Sequence, residues 1–218
     1  MQPHINHPTL PDDQAAEATE IKPKTGTRLP KEVRMQQIEF AALKVFRCRG
    51  YKDGSTKEIA KEAGVTEGLI FKYYPTKIQI LENIICTWYD KALSQYLAQI
   101  QIIESLNDKL KYAISHNLEC MCNDAEISNL YLELRRDRYF KSSRLLEYNK
   151  LYVGEMINVI KNIQDTHNTG REPIRPTLIA QMIYSMAEAR SEPHRFGEKK
   201  INIQTTADEI YELFMRLL

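Results

Sequence analysis

From residue 31 onward the apolar side chains recur at helical spacing. Ile38, Ala41, Ala42, Val45 and Phe46 stand at i, i+3, i+4, i+7 and i+8, and the stripe stops at Gly50, which predicts a first helix over 31–49. Ser55 followed three residues later by Glu58 forms a reciprocal capping box, so a short second helix opens there and ends at Gly64. Thr66 caps a third helix that runs to Tyr74, and Pro75 interrupts the chain before a fourth begins near Thr76. The fourth carries Ile78, Leu81, Ile85, Trp88 and Ala92 at spacings of three and four and reaches about Ile103. Further helices are predicted near 106–123, 126–137, 141–165, 176–190 and 205–217, with the longest breaks between His167 and Pro176 and between Ser191 and Gly197. No convincing strand is found, so the fold class is all-α.

Composition separates the ends of this pattern. Residues 1–30 hold five of the nine prolines and almost no apolar side chains, too few to offset the entropy of ordering, and are predicted to be a flexible tail. Its basic end, Lys22, Lys24, Arg28 and Lys31, reads either as a solvated linker or as an arm that tracks phosphates. The chain as a whole carries only +1, yet residues 22–77 hold 13 Lys/Arg against 6 Asp/Glu, a local excess of about +7. That block is the candidate polyanion-binding surface. There is no basic-then-apolar leader and no run of about 18 apolar residues, which predicts a cytoplasmic protein with no membrane partner. The four cysteines are then expected to be reduced thiols.

Within the basic block, residues 55–74 have the layout of a helix-turn-helix. Ile59 and Ala63 face inward, Ala60 is small where two helices cross, Gly64 accepts the positive φ of the turn, and Val65 and Ile70 close a miniature core. In such a unit the second helix enters the major groove and the first crosses the backbone. The segment AALKVFRCRGYKDGSTKEIAKEAGVTEGLIFKYYPTKIQIL resembles the DNA-binding signature of the TetR family of transcriptional regulators. The match runs through Phe46, Gly50, Tyr51, Ser55, Ile59, Ala60, Ala63, Gly64, Val65, Thr66, Gly68, Ile70, Phe71, Tyr73, Tyr74, Lys77 and, one position late, Leu81. The resemblance implies DNA contacts by Thr56 and Lys57 at the start of the motif's first helix. It implies others by Thr66, Glu67, Gly68 and Leu69 opening the recognition helix, by Lys72 and Tyr73 further along it, and by Lys77 as a phosphate-binding lysine. Two residues depart from the pattern: Phe71 lacks a common hydroxyl, and Glu67 puts an acid at a base-reading position. Glu67 either accepts from a cytosine amine or favours the helix N-terminus through the dipole, and the sequence leaves both open.

The implied architecture is an N-terminal three-helix DNA-binding head at 31–77 behind a tail at 1–30, and a helical ligand-binding and dimerisation domain at 78–218. In that second part Trp88, Tyr89, Tyr112, His116, Tyr131, Tyr148, Tyr152 and Met156 suit the lining of a site for a mainly apolar or aromatic small-molecule effector. Leu178, Met182, Ile183, Met186, Ile210, Phe214 and Leu217 give the last two helices broad apolar faces, expected to form the interface of a homodimer that reads a palindromic double-stranded DNA operator. Arg135, Arg136 and Arg138 read as a solvated helix end or as an anchor for an anionic ligand head. His116, Cys120 and Cys122 do not make a metal site, because Cys-x-Cys on a helix points its thiols about 200° apart. No cofactor is implied, and no nucleophile elbow, P-loop or dinucleotide turn is found, so catalysis is not expected. A released repressor is the expected function; a helical architectural or partner-binding protein without an effector is the alternative.

Overall fold

The computed structural model describes residues 29–166 and 172–216. The expectations for the tail before Leu29, for the turn at 167–171 and for Leu217 lie outside the described residues. Among them the chain is all-helical: α1 (Lys31–Asp53), α2 (Thr56–Glu62), α3 (Glu67–Tyr73), α4 (Lys77–Ile102), α5 (Leu106–Asn123), α6 (Ala125–Arg135), a 3-10 turn (Arg138–Ser142), α7 (Leu145–Thr166), α8 (Pro176–Arg195) and α9 (Ile203–Met215). They divide into two compact units, a head up to Thr87 and a body from Trp88 onward, and α4 contributes its first residues to one and the rest to the other.

In the head, Gly50 sits at φ 76°, a left-handed conformation that ends the first helical stretch and leaves one more turn to Asp53. The predicted capping box is present: the Glu58 amide donates to Ser55 Oγ and the Ser55 amide donates back to the Glu58 carboxylate at 3.0 Å. These bonds, with Arg49 at 2.8 Å, hold the Glu58 carboxyl below the ordinary carboxylate range. Gly64 turns the chain at φ 63°, and the Val65 amide donates to the Ala60 carbonyl at 2.9 Å. Ile38, Ile59 and Ile70 are fully buried between the three helices; each buried isoleucine contributes about 1.5–3 kcal/mol. Polar side chains tie the outside of this core. Gln37 Nε2 donates to the Ala63 carbonyl at 2.6 Å, and Glu39 accepts from Tyr74 Oη and from Asn83 Nδ2.

In the body α5 lies at the centre, packed against α6, α7, α8 and α9. Leu110, Ala113, Ile114 and Leu118 are accordingly sealed. Two predicted boundaries are corrected. The helix expected from 141 begins at Leu145, because Asp137 caps a 3-10 turn through the Tyr139 amide at 2.8 Å and Phe140 is driven into the core. The helix expected to stop at 190 continues through Pro193 to Arg195. Arg195 holds that last stretch, donating to Ser191 Oγ at 3.2 Å, to the Glu188 carbonyl at 3.2 Å and to Asn129 on α6.

Candidate functional site

Of the residues expected to meet DNA, Thr56, Lys57, Thr66, Glu67, Gly68 and Leu69 stand at the starts of α2 and α3, Lys72 and Tyr73 end α3, and Lys77 opens α4. Thr66 caps α3, accepting from the Leu69 amide at 3.3 Å. Lys57 and Lys72 are exposed and have no carboxylate partner among the described residues. Gly68 is exposed in the first turn of α3, and a Cβ there would meet nothing within 4 Å. Nothing inside the chain asks for glycine at that point, although glycine costs about 1 kcal/mol against alanine in a helix. Leu69 and Tyr73 are half-buried, while Phe71 stands 46% exposed on α3. Thr56 and Glu67 touch each other: the threonine hydroxyl donates to the Glu67 carboxylate, joining the starts of the two helices. Sequence reasoning missed this pairing because the two lie on different helices.

Lys77, expected at a phosphate, has partners within the chain. Its ammonium donates to the carbonyls of Tyr51 (2.6 Å), Gly54 (2.8 Å) and Lys52 (3.1 Å) and lies 4.5 Å from the centre of the Tyr51 ring. An ammonium has three donors, and in the DNA-free chain all three are spent on closing the end of α1.

The body gathers the expected aromatic residues into one cluster. The Tyr89 ring is 5.4 Å from Trp88, 5.5 Å from Tyr131, 5.7 Å from Tyr148 and 6.1 Å from Tyr152. Tyr96 stacks on Tyr112 at 5.9 Å and lies 5.2 Å from His116 and 4.6 Å from Tyr152. His116 Nδ1 and Tyr152 Oη are hydrogen-bonded at 2.7 Å, and Trp88 Nε1 donates to Asp124 at 2.8 Å. An enclosed cavity of about 40 Å³ is lined by Trp88, Tyr89, Tyr131 and Tyr152, together with Asn117, Cys120 and Ser128. Of the remaining expected residues Tyr112, His116, Tyr148 and Met156 lie outside its lining, and Met156 is fully buried. Tyr96 and Tyr184 were missed as members of the cluster. Tyr96 repeats the position of Tyr89 seven residues on, a signal the sequence contained; Tyr184 sits on a helix read for dimerisation.

Among the described residues no group of three His, Cys, Asp or Glu side chains is placed to hold a metal ion. Cys86, Cys120 and Cys122 are buried and Cys48 is exposed. Burial pushes the Cys122 thiol up to about 11 and Cys120 well above its ordinary range. No helix among the described residues is long and apolar enough to cross a membrane.

The expected dimer face separates into two sets. Ile183, Ile210 and Phe214 are 1%, 1% and 0% exposed within their own protomer and so pack into its core, although Ile210 also borders an open groove. Leu178 and Met182 on α8 stay 40% and 43% exposed, and the unforeseen Leu213 on α9 is 44% exposed. Met186 lines an open groove of about 470 Å³ beside Leu213, Arg190 and Arg216.

Residues 40–84 match the family of bacterial regulatory proteins, tetR family, a span that contains α2, α3 and the turn between them. The chain belongs to the TetR family. This TetR-family chain is therefore a DNA-binding transcriptional regulator, and its head is a helix-turn-helix domain. It is 24% identical over 191 residues to the fatty acid metabolism regulator protein of Bacillus subtilis, covering 85% of this chain and 95% of the relative. It is 24% identical over 110 residues to the transcriptional activator FasR of Mycolicibacterium smegmatis, covering half of each. Its fold matches the crystal structure of FadR from Bacillus subtilis in complex with stearoyl-CoA with a TM-score of 0.70, at 22% identity over 84% of this chain and 98% of that one.

Proposed function

We propose that this TetR-family regulator works as a homodimeric repressor that holds a palindromic operator and lets go when a small molecule enters its body. In this reading the head up to Lys77 reads DNA: Lys57, Lys72 and Tyr73 meet phosphates, while Thr66, Glu67 and Leu69 approach base edges. Gly68 leaves room for the duplex to come close to α3. The Thr56 hydroxyl fixes the Glu67 carboxylate, which keeps one oxygen free to accept from a cytosine amine. The second copy docks on Leu178, Met182 and Leu213, apolar side chains that their own protomer leaves 40%, 43% and 44% exposed.

The observation that carries the effector reading is the enclosed aromatic cavity around Tyr89 and Tyr152. That Bacillus subtilis FadR, a regulator of similar fold, forms a complex with stearoyl-CoA also supports a ligand-responsive reading. Trp88 borders the cavity and is the chain's only tryptophan; it belongs to α4, the same continuous helix that begins at Lys77. Its emission is therefore expected to change on adding an effector over the same concentrations that release the operator in a gel shift. Release with constant Trp88 emission and quenching would place the effector elsewhere, and a wild-type protein that scatters light as a monomer at micromolar concentration would end the dimer reading.

A further inference from the structure

The aromatic core of the body holds more hydrogen-bonding groups than it has partners for. Tyr96 is fully buried, yet its hydroxyl has no partner among the described residues, and the same is true of the Tyr112 and Tyr184 hydroxyls and the side-chain oxygen of Asn117. Three neighbouring tyrosines differ: Tyr131 donates to Asn149 at 2.9 Å, Tyr148 to Asp90 at 2.6 Å, and Tyr152 is bonded to His116. A core that only had to be filled gains nothing from hydroxyls it must bury unpaired, since phenylalanine supplies the same ring without that penalty.

One of these groups stands in the cavity wall and two belong to rings packed behind it. Asn117 lines it directly, and the Tyr152 ring, also in its wall, lies 4.6 Å from Tyr96 and 6.1 Å from Tyr184. The lining contains no Lys, Arg, Asp or Glu. Its tyrosines are themselves held neutral, because burial raises the hydroxyls of Tyr89 and Tyr152 well above their ordinary range.

We propose that this core takes, as the effector of the regulator described above, an uncharged single-ring aromatic compound bearing hydroxyl or amide groups. Each property follows from one feature. A carboxylate or phosphate seated among these rings would be desolvated with no cation in the lining to meet it, since Arg135, beside Tyr131, is already paired with Glu188 at 2.6 Å. A saturated chain would leave the Asn117 oxygen in the wall unpaired, whereas a hydroxyl or amide offers it a donor and offers either partner to a tyrosine that turns toward the guest. A ring fits among rings because aromatic edges and faces attract each other. About 40 Å³ is room for one or two waters, so a ring enters only as side chains part. The tyrosines whose hydroxyls are tied to nothing are the ones that give up no hydrogen bond in moving.

This inference rests on the effector reading, and one titration separates their failures. The full-length wild type is titrated with 4-hydroxybenzyl alcohol, with the saturated ring 1,4-cyclohexanedimethanol, with 4-hydroxybenzoate and with stearoyl-CoA. Trp88 emission and operator release are read together. Saturable quenching by 4-hydroxybenzyl alcohol is expected, at least tenfold tighter than by the saturated diol or the carboxylate, and Asn117→Ala should weaken it about tenfold, the loss of one hydrogen bond. Quenching without operator release keeps the ligand class and removes the effector role. Quenching and release by stearoyl-CoA, with no response to the neutral phenol, overturns the ligand class and keeps the effector role. Equal binding of the aromatic and saturated rings also overturns it. Tyr96→Phe gives a readout without ligand: its melting temperature should equal or exceed wild type, and a clear fall would show that the hydroxyl is satisfied in the free protein and not awaiting a guest.

Discussion

Head and body treat their polar groups in opposite ways. In the head nearly every polar side chain near the core closes a specific gap. Ser55 and Glu58 cap α2, Thr66 caps α3, Gln37 and Glu39 tie α1 to the Ala63 carbonyl and to Tyr74 and Asn83, and Lys77 closes α1. The body leaves three tyrosine hydroxyls and an amide oxygen buried without partners among the described residues. A surface that must match a stiff duplex profits from being fixed beforehand, because ordering it on binding would weaken the complex. A core that must admit a guest profits from groups whose bonds are made only when the guest arrives. The difference in hydrogen bonding is thus a difference in what each unit is prepared to do.

The sharpest break of this contrast comes from charging the body's sealed side. Phe214→Glu buries a carboxylate where the wild-type ring is fully covered, and is expected to cost at least about 4 kcal/mol and to unfold the body. Met182→Glu, on an exposed position, should leave the melting temperature of the protomer near wild type and produce a folded monomer with weakened operator binding. If the two variants behave alike in circular dichroism and light scattering, the division of the α8 and α9 faces into core and interface is wrong.

A smaller effect tests the closed end of α1. Lys77→Met removes three hydrogen bonds to carbonyls and is expected to destabilise the protein by about 2 kcal/mol while leaving the slope of log K against log salt unchanged. Lys57→Ala should do the reverse, lowering that slope by about one with little change in melting temperature. A reduced slope for Lys77→Met would return that residue to the DNA surface. The smallest effect concerns Glu58, whose folded pKa is lowered chiefly by the bond from the Ser55 amide. A lowered pKa stabilises above the ordinary value of 4.5 and is lost as pH falls through the folded value. The melting-temperature gap between wild type and Glu58→Gln should therefore be present at pH 6 and close below pH 4; a gap that persists there would mean the cap does not depend on charge.

Much of the head was legible because its determinants are local. Ser55 and Glu58, Thr66, Gly64 and the Ile38 to Phe46 stripe act over three to eight residues, within reach of periodicity and capping rules. The role of Lys77 was not, since its partners stand 23 to 26 positions away. Helix positions in the body followed from spacing, but the 3-10 turn at Arg138 depends on burying Phe140, and the passage of α8 through Pro193 depends on Arg195 reaching α6. The membership of the aromatic cluster was half visible: rings on four helices can be named from sequence, whereas their meeting at Tyr89 and Tyr152 is a property of packing. The depth of Ile183, Ile210 and Phe214 in their own protomer was hidden for a related reason. Apolar periodicity marks a face as hidden from water without telling whether its own chain or another covers it.

The distribution of thiols has a practical reach beyond packing. Three of the four cysteines are enclosed and Cys48 alone is exposed, on α1 of the head. A maleimide spin label or dye applied under native conditions should therefore mark each head once and leave the core untouched. In a dimer that yields a single inter-label distance, so pulsed electron resonance on the unmutated protein can follow the separation of the two heads with operator bound, with effector bound, or with neither.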